Sequence, residues 1–149
     1  MPTEVSSTLA EAQIHELIDG WVTGVRTRDL RAITANYATD VEVFDAVPPL
    51  RYRGTDEYRK HWQECFDMME GQIGYEIREL SITANDELAF SRSVNRLSGT
   101  EKSGKTMDMW FRATVCFQKR GGKWLVTHEH ASVPFYADKT MRAATDLKP

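Results

Sequence analysis

Apolar positions recur along this chain with two different periods, and the change between them divides it into a helical part and a stranded part. Ile14, Leu17, Ile18, Trp21, Val22 and Val25 fall at i, i+3, i+4, i+7, i+8 and i+11, one stripe of a helix that faces a core. Thr8-Leu9-Ala10-Glu11 just ahead has the form of a capping box, which predicts a helix start there. Gly20 and Gly24 weaken this helix. Asp29 is placed to cap a second, shorter helix whose Leu30, Ile33 and Tyr37 share a face and which ends near Thr39. Val41 to Phe44 reads as a short strand broken by Asp45-Ala46-Val47-Pro48-Pro49, because proline cannot donate to a sheet ladder. After Gly54 a third helix is predicted, with Tyr58, Trp62, Cys65, Phe66 and Met69 on an aromatic stripe.

From Gly74 the pattern turns to β-rich runs over 75–83, 88–97, 105–118 and 123–133. Asn85-Asp86, the stretch 99–104 and Gly121-Gly122 are connections of hairpin length, so neighbouring strands are expected to pair antiparallel. In the third run Met107, Met109, Phe111, Ala113, Val115 and Phe117 alternate with Asp108, Trp110, Arg112, Thr114, Cys116 and Gln118. The first set is expected to face the helices. The second mixes Trp110 and Cys116 with charges, a face suited to a subunit contact, and a homodimer through Trp110, Arg112 and Cys116 is expected.

Composition narrows the function classes. At 149 residues, with 41% hydrophobic and 28% charged side chains, the chain fits one globular α+β domain with tails at 1–8 and 137–149. A net charge of -3 with no basic stripe argues against nucleic acid. No apolar run approaches the roughly 20 residues a membrane span needs, and residues 1–9 lack a basic start with an apolar core, so a cytoplasmic location is expected. Cys65 and Cys116 lie far apart in periodic segments and read as buried thiols.

The order helix, helix, strand, break, helix and four long strands resembles the cone-shaped α+β barrel of the nuclear-transport-factor-2-like superfamily, with its ketosteroid isomerases and SnoaL-like polyketide cyclases. Two stretches carry the resemblance. One runs from Trp21 through Asp29, Tyr37-Ala38-Thr39-Asp40 and Val43-Phe44-Asp45 to Gly54, and is similar to the isomerase segment from its oxyanion-binding tyrosine to its general-base aspartate. The other, Gly122-Lys123-Trp124-Leu125-Val126-Thr127-His128-Glu129-His130-Ala131-Ser132-Val133-Pro134, is similar to the closing strand of SnoaL-like proteins and of the calmodulin-dependent kinase association domain. The resemblance implies three N-terminal helices packed on a curved, mostly antiparallel sheet around an apolar pocket.

It also implies that Asp45 stands where the isomerases keep the carboxylate that moves a proton between two carbons of an enone. Trp21 takes the place of the oxyanion tyrosine, and Ala113 falls near the second oxyanion acid, so the steroid reaction itself is not implied. The expected catalytic set is therefore Asp45, Trp21 and His128, the latter two polarising or positioning an oxygen. The expected ligand-binding set is Tyr37, Trp62, Phe66, Met69, Phe111, Val115 and His130. Whether His128 or Glu129 points inward depends on a bulge. His128 and His130 share a strand face, but a metal would need a third ligand such as Asp45 or His61, and no other ligand-spaced motif exists. No Ser-His-Asp order or phosphate loop is present, so neither a metal nor another cofactor is expected. The expectation is a cofactor-independent isomerase or cyclase acting on a small apolar carbonyl compound. A binding or oligomerisation module of the same fold is the alternative.

Overall fold

The structure is a computed structural model that describes residues 4–149, with side chains from Ser7 onward. Helix α1 (Glu4–Arg26) and helix α2 (Leu30–Thr34) form the expected hairpin. Strand β1 (Tyr37–Phe44), strand β2 (Tyr52–Arg53) and helix α3 (Thr55–Met68) follow, and then the long strands β3 (Met69–Ala84), β4 (Leu88–Glu101), β5 (Thr106–Arg120) and β6 (Lys123–Ser132). The six strands make one sheet in the order β2-β1-β6-β5-β4-β3. Every neighbouring pair is antiparallel except β1 with β6, which run parallel. The sheet is thus mostly antiparallel, with the helices packed on it, the architecture the resemblance implies. No helix among the described residues is long and apolar enough to cross a membrane.

Several local expectations shift. α1 runs through Thr8 instead of starting there, because none of Glu4 to Ser7 is Gly or Pro and nothing stops the helix from extending. Residues 1–3 of the expected N-terminal tail lie outside the described residues, and the rest of it is helix. Gly24 has a packing reason. A Cβ built on it would lie 2.9 Å from the Ala32 Cβ and 3.1 Å from the Ile33 nitrogen, so glycine lets α2 lie against α1. Tyr37 opens β1 instead of closing α2, since α2 stops at Thr34 and Tyr37 pairs with Val126 of β6. Met69 likewise begins β3 where a helical residue was expected. The α3–β3 junction is clamped by Arg28, which sits at a positive φ of 58°. Its guanidinium donates to the carbonyls of Phe66 (2.9 Å), Met69 (3.2 Å) and Gly71 (2.7 Å), tying the end of α3 to the start of β3.

The alternation on β5 is as expected, with Phe111, Val115 and Phe117 packed into the core under the helices. Trp110 is on the outer face but is already covered. Its ring lies under Arg78 at 4.9 Å and Arg96 at 5.8 Å, and only 9% of the residue is exposed. The open apolar groups of that face are Leu88 and Phe90, the latter beside Cys116. Arg112 is exposed, and both cysteines are free thiols and half-buried. The segment after β6 is not the weakly ordered tail expected. It folds back on itself, with Ala144 N–H donating to Pro134 O (2.7 Å), Tyr136 N–H to Arg142 O (2.8 Å), and Ala144 buried.

Candidate active site

Between the helices and the concave side of the sheet lies a cavity of about 410 Å³. Its wall is largely apolar, with a few polar side chains converging on it, the usual form of a small-ligand site. Trp21, Tyr37, Asp45, Trp62, Met69, Phe111 and Val115 of the expected set all border it. Phe66 does not. It is buried behind Trp62 (ring centroids 5.6 Å apart) and under Arg28, and its helical neighbour Cys65 reaches the cavity instead.

One extra residue in β6 decides which side chain of the closing strand faces the cavity. Phe117 pairs with Val126 and Cys116 with His128, so Thr127 has no partner across the ladder and forms a bulge. Beyond it the facing set changes phase: Glu129 pairs with Val115 and Val43 on the inner face, while His128 pairs with Cys116 on the outer face. His128 therefore leaves the expected catalytic set. Its Nδ1–H donates to Glu42 O at 2.6 Å, and its ring meets Phe44 edge-on at 4.7 Å. His130 borders the cavity, but its ring too lies edge-on to Phe44, at 5.5 Å.

Glu129 is the acid that the bulge turns into the cavity. Tyr37 Oη donates to Glu129 Oε2 at 2.7 Å, and the Tyr58 hydroxyl lies 3.1 Å from that of Tyr37, with the two rings stacked at 4.7 Å. Because Tyr37 gives its one proton to the carboxylate, Tyr58 donates to Tyr37, and the bonds form a chain ending on Glu129. Burial pushes the Glu129 carboxyl up to about 7. The tyrosine hydrogen bonds pull it back, the Asp45 charge adds to the rise, and His61 opposes it. Tyr37 and Tyr58 are raised well above the usual phenol range, first by burial and then by the Glu129 charge, so both stay protonated donors.

Asp45 sits where β1 ends, on the rim of the cavity, with 22% of its side chain exposed. Its Oδ1 accepts from Ala46 N–H (2.6 Å), and its Oδ2 lies 3.0 Å from His61 Nε2 of α3. His61 Nδ1 is 3.0 Å from Tyr52 Oη, which also donates to Pro48 O at 3.0 Å. A carbonyl only accepts, so the Tyr52 proton goes to Pro48 and the Tyr52 oxygen faces His61 Nδ1 as an acceptor. These bonds pin the loop at 45–48 to α3.

Trp21 and Trp62 border the cavity through their rings, yet the Trp21 indole nitrogen is buried without a hydrogen-bond partner among the described residues. Trp21 meets Trp62 at 5.7 Å and Tyr75 at 5.0 Å, both edge-to-face, and its indole nitrogen is fully buried. That geometry does not present the Trp21 N–H to a ligand, which the expected oxygen-positioning role requires. No cluster of His, Cys, Asp and Glu suited to a metal occurs among the described residues.

The SnoaL-like domain model matches residues 14–136. No curated protein matches the chain. Among solved structures, a protein of unknown function from Pseudomonas putida KT2440 with the nuclear-transport-factor-2-like fold is 39% identical, covers 97% of this chain and 99% of its own, and superposes with a TM-score of 0.87. A ketosteroid isomerase-like protein from Erwinia carotovora atroseptica is 23% identical over 81% of this chain and 93% of its own, with a TM-score of 0.69. A superfamily member from Salmonella enterica is 13% identical over 89% of this chain and 96% of its own, with a TM-score of 0.77, a likeness of fold alone. The match across the cone, from the middle of α1 through the bulged closing strand, means that this chain belongs to the SnoaL-like domain family.

Proposed function

We propose that this protein is a cofactor-independent enzyme that transfers a proton next to the carbonyl of a small apolar compound, as an isomerase or cyclase does, and that Glu129 carries the proton. The observation behind this reading is a buried carboxyl group in an apolar cavity that accepts from Tyr37, itself bonded to Tyr58, and that burial pushes up to about 7. In the forward step the Glu129 carboxylate takes the proton from the carbon beside the carbonyl, leaving an enolate and a neutral Glu129. The proton then returns to the same or another carbon. Asp45, the expected shuttle, already has bonds to His61 and its own backbone, and in this reading it positions the rim.

The test is exchange of carbon-bound hydrogen for deuterium in uncharged ketones and enones, followed by NMR. Wild type is expected to label the position beside the carbonyl, at a rate that rises with pH through about 7 as Glu129 ionises. Glu129→Gln should remove most of that rate. An unchanged rate in Glu129→Gln rejects the assignment, and ligand binding without exchange would make the domain a binding module.

We also propose a homodimer across the outer sheet face, centred on Phe90 and Cys116, since Trp110 is covered within its own chain. A solution mass of twice 17.1 kDa is expected at micromolar concentration. A monomeric mass would end this reading.

A further inference from the structure

The cavity wall is chemically one-sided. It includes Asp45, Glu64, Glu101 and Glu129, but none of the described lysines or arginines. The basic side chains of the wall are His61, which faces Asp45, and His130, while Glu64, Glu101 and Glu129 form no ion pair with a lysine or arginine among the described residues. An anionic ligand would be desolvated there against charges of its own sign.

Within this wall a second hydrogen-bond chain runs along the inner face of β4 and ends on β3. Ser93 Oγ donates to Asn95 Oδ1 at 2.7 Å, and Asn95 Nδ2 donates to Tyr75 Oη at 2.9 Å. Ser93, Asn95 and Tyr75 all border the cavity, and Asn95 and Tyr75 are about 5% and 4% exposed. The Tyr75 oxygen receives a bond, while no acceptor for its own proton exists among the described residues. A hydroxyl that accepts is a better donor, because each bond in a chain polarises the next. Because Tyr75 borders the cavity, a ligand there can supply the acceptor that its hydroxyl lacks. Burial holds Tyr75 well above the usual phenol range, so it keeps its proton when Glu129 is ionised.

We propose that the cavity selects an uncharged ligand and receives the ligand's oxygen acceptor on the Tyr75 hydroxyl, oriented by Ser93 and Asn95, while the carboxyl groups of the wall reject anions. The proposal rests on the same cavity as the proton-transfer reading and names its substrate class. Tyr75 and Glu129 would then act on one ligand from two chains of hydrogen bonds. The first stabilises charge developing on oxygen, and the second moves the proton.

The test uses 4-phenylcyclohexanone labelled with carbon-13 at its carbonyl, and 4-phenylcyclohexanecarboxylate as its anionic counterpart. Binding is read at pH 8 by quenching of tryptophan fluorescence, and the hydrogen bond by the infrared carbonyl stretch. The ketone is expected to bind at least about tenfold tighter than the carboxylate, a gap that narrows in Glu129→Gln. In wild type the bound ketone's stretch should lie below its value in an alkane solvent. Tyr75→Phe should return it toward that value and weaken binding roughly five- to tenfold. Equal binding of ketone and carboxylate, or no ketone binding up to its solubility, overturns the proposal. So does a wild-type stretch at its alkane value, a reading that needs no variant to fold. A lowered stretch that is the same in Tyr75→Phe would mean that Tyr75 spends its proton on Asn95, and overturns it too. A ketone held by Tyr75 but never exchanging its hydrogens would keep this inference and end the enzymatic one. Exchange that needs Glu129 but leaves the stretch indifferent to Tyr75 would do the reverse.

Discussion

Glu129 and Asp45 share one cavity but not one environment. Glu129 lies deep in it, on an inner-face position of β6, and its partners are phenols, which donate to a carboxylate without bringing a positive charge. Asp45 lies on the rim, where a backbone N–H and the His61 imidazole hold its two oxygens. Burial against neutral donors leaves Glu129 free to gain and lose a proton near neutrality. Bonds to His61 and to the Ala46 N–H commit Asp45 to a fixed position. In the proposed mechanism two carboxyl groups in one pocket thus divide into a proton carrier and a latch, by surroundings and not by residue type.

The sharpest way to break this division is to neutralise each acid in turn. Glu129→Gln is expected to slow deuterium exchange by about a thousandfold, within the usual range for a lost general base, and Asp45→Asn by no more than about tenfold. The opposite order would return the proton to Asp45, as the isomerase resemblance implies.

The next largest effect is on stability. The folded-state value for Glu129 is about 7 against a reference of 4.5, so between those values the folded chain holds a proton that the unfolded chain has released. Stability from this group is complete below the reference value, falls as pH rises through the window, and is level above it, a loss of about 3 kcal/mol. Urea unfolding at a series of pH values should show the slope in wild type and its absence in Glu129→Gln, which should be the more stable protein at pH 8. Parallel curves for the two would contradict the burial assigned to Glu129.

A smaller effect sharpens the role of the phenols. Tyr37→Phe removes a hydrogen bond that favours the ionised carboxyl, so the Glu129 titration, followed by carbon-13 NMR, should move upward by about one unit. At pH 8 the variant should lose about 1–2 kcal/mol of stability, in line with a bond to a charged group. A downward shift would mean that Tyr37 bonds the neutral acid instead.

Much of this architecture was legible in local pattern. The stripe on α1, the alternation on β5 and the hairpin turns depend on side chains a few residues apart, and their periods report directly on which face is buried. Most expected cavity residues lie on those faces. Boundaries were less legible. Tyr37 reads as helical because it continues the spacing of Leu30 and Ile33, but its pairing with Val126 draws it into β1, a contact that no local window contains. Phe66 and Cys65 are adjacent on α3, and only the position of Arg28 and Trp62 decides which of them is turned from the cavity.

The sequence by itself determined the elements, their order and the two-faced strands that make a hollow between helices and sheet, because these follow from propensity and periodicity within each segment. The tertiary structure alone decided the chemistry of that hollow. The unpaired Thr127 sends Glu129 inward and His128 outward, and Glu129 then meets Tyr37 from a strand 92 positions earlier in the chain. The alternation of a strand fixes which residues share a face, but a bulge resets it, and only cross-strand pairing places the bulge.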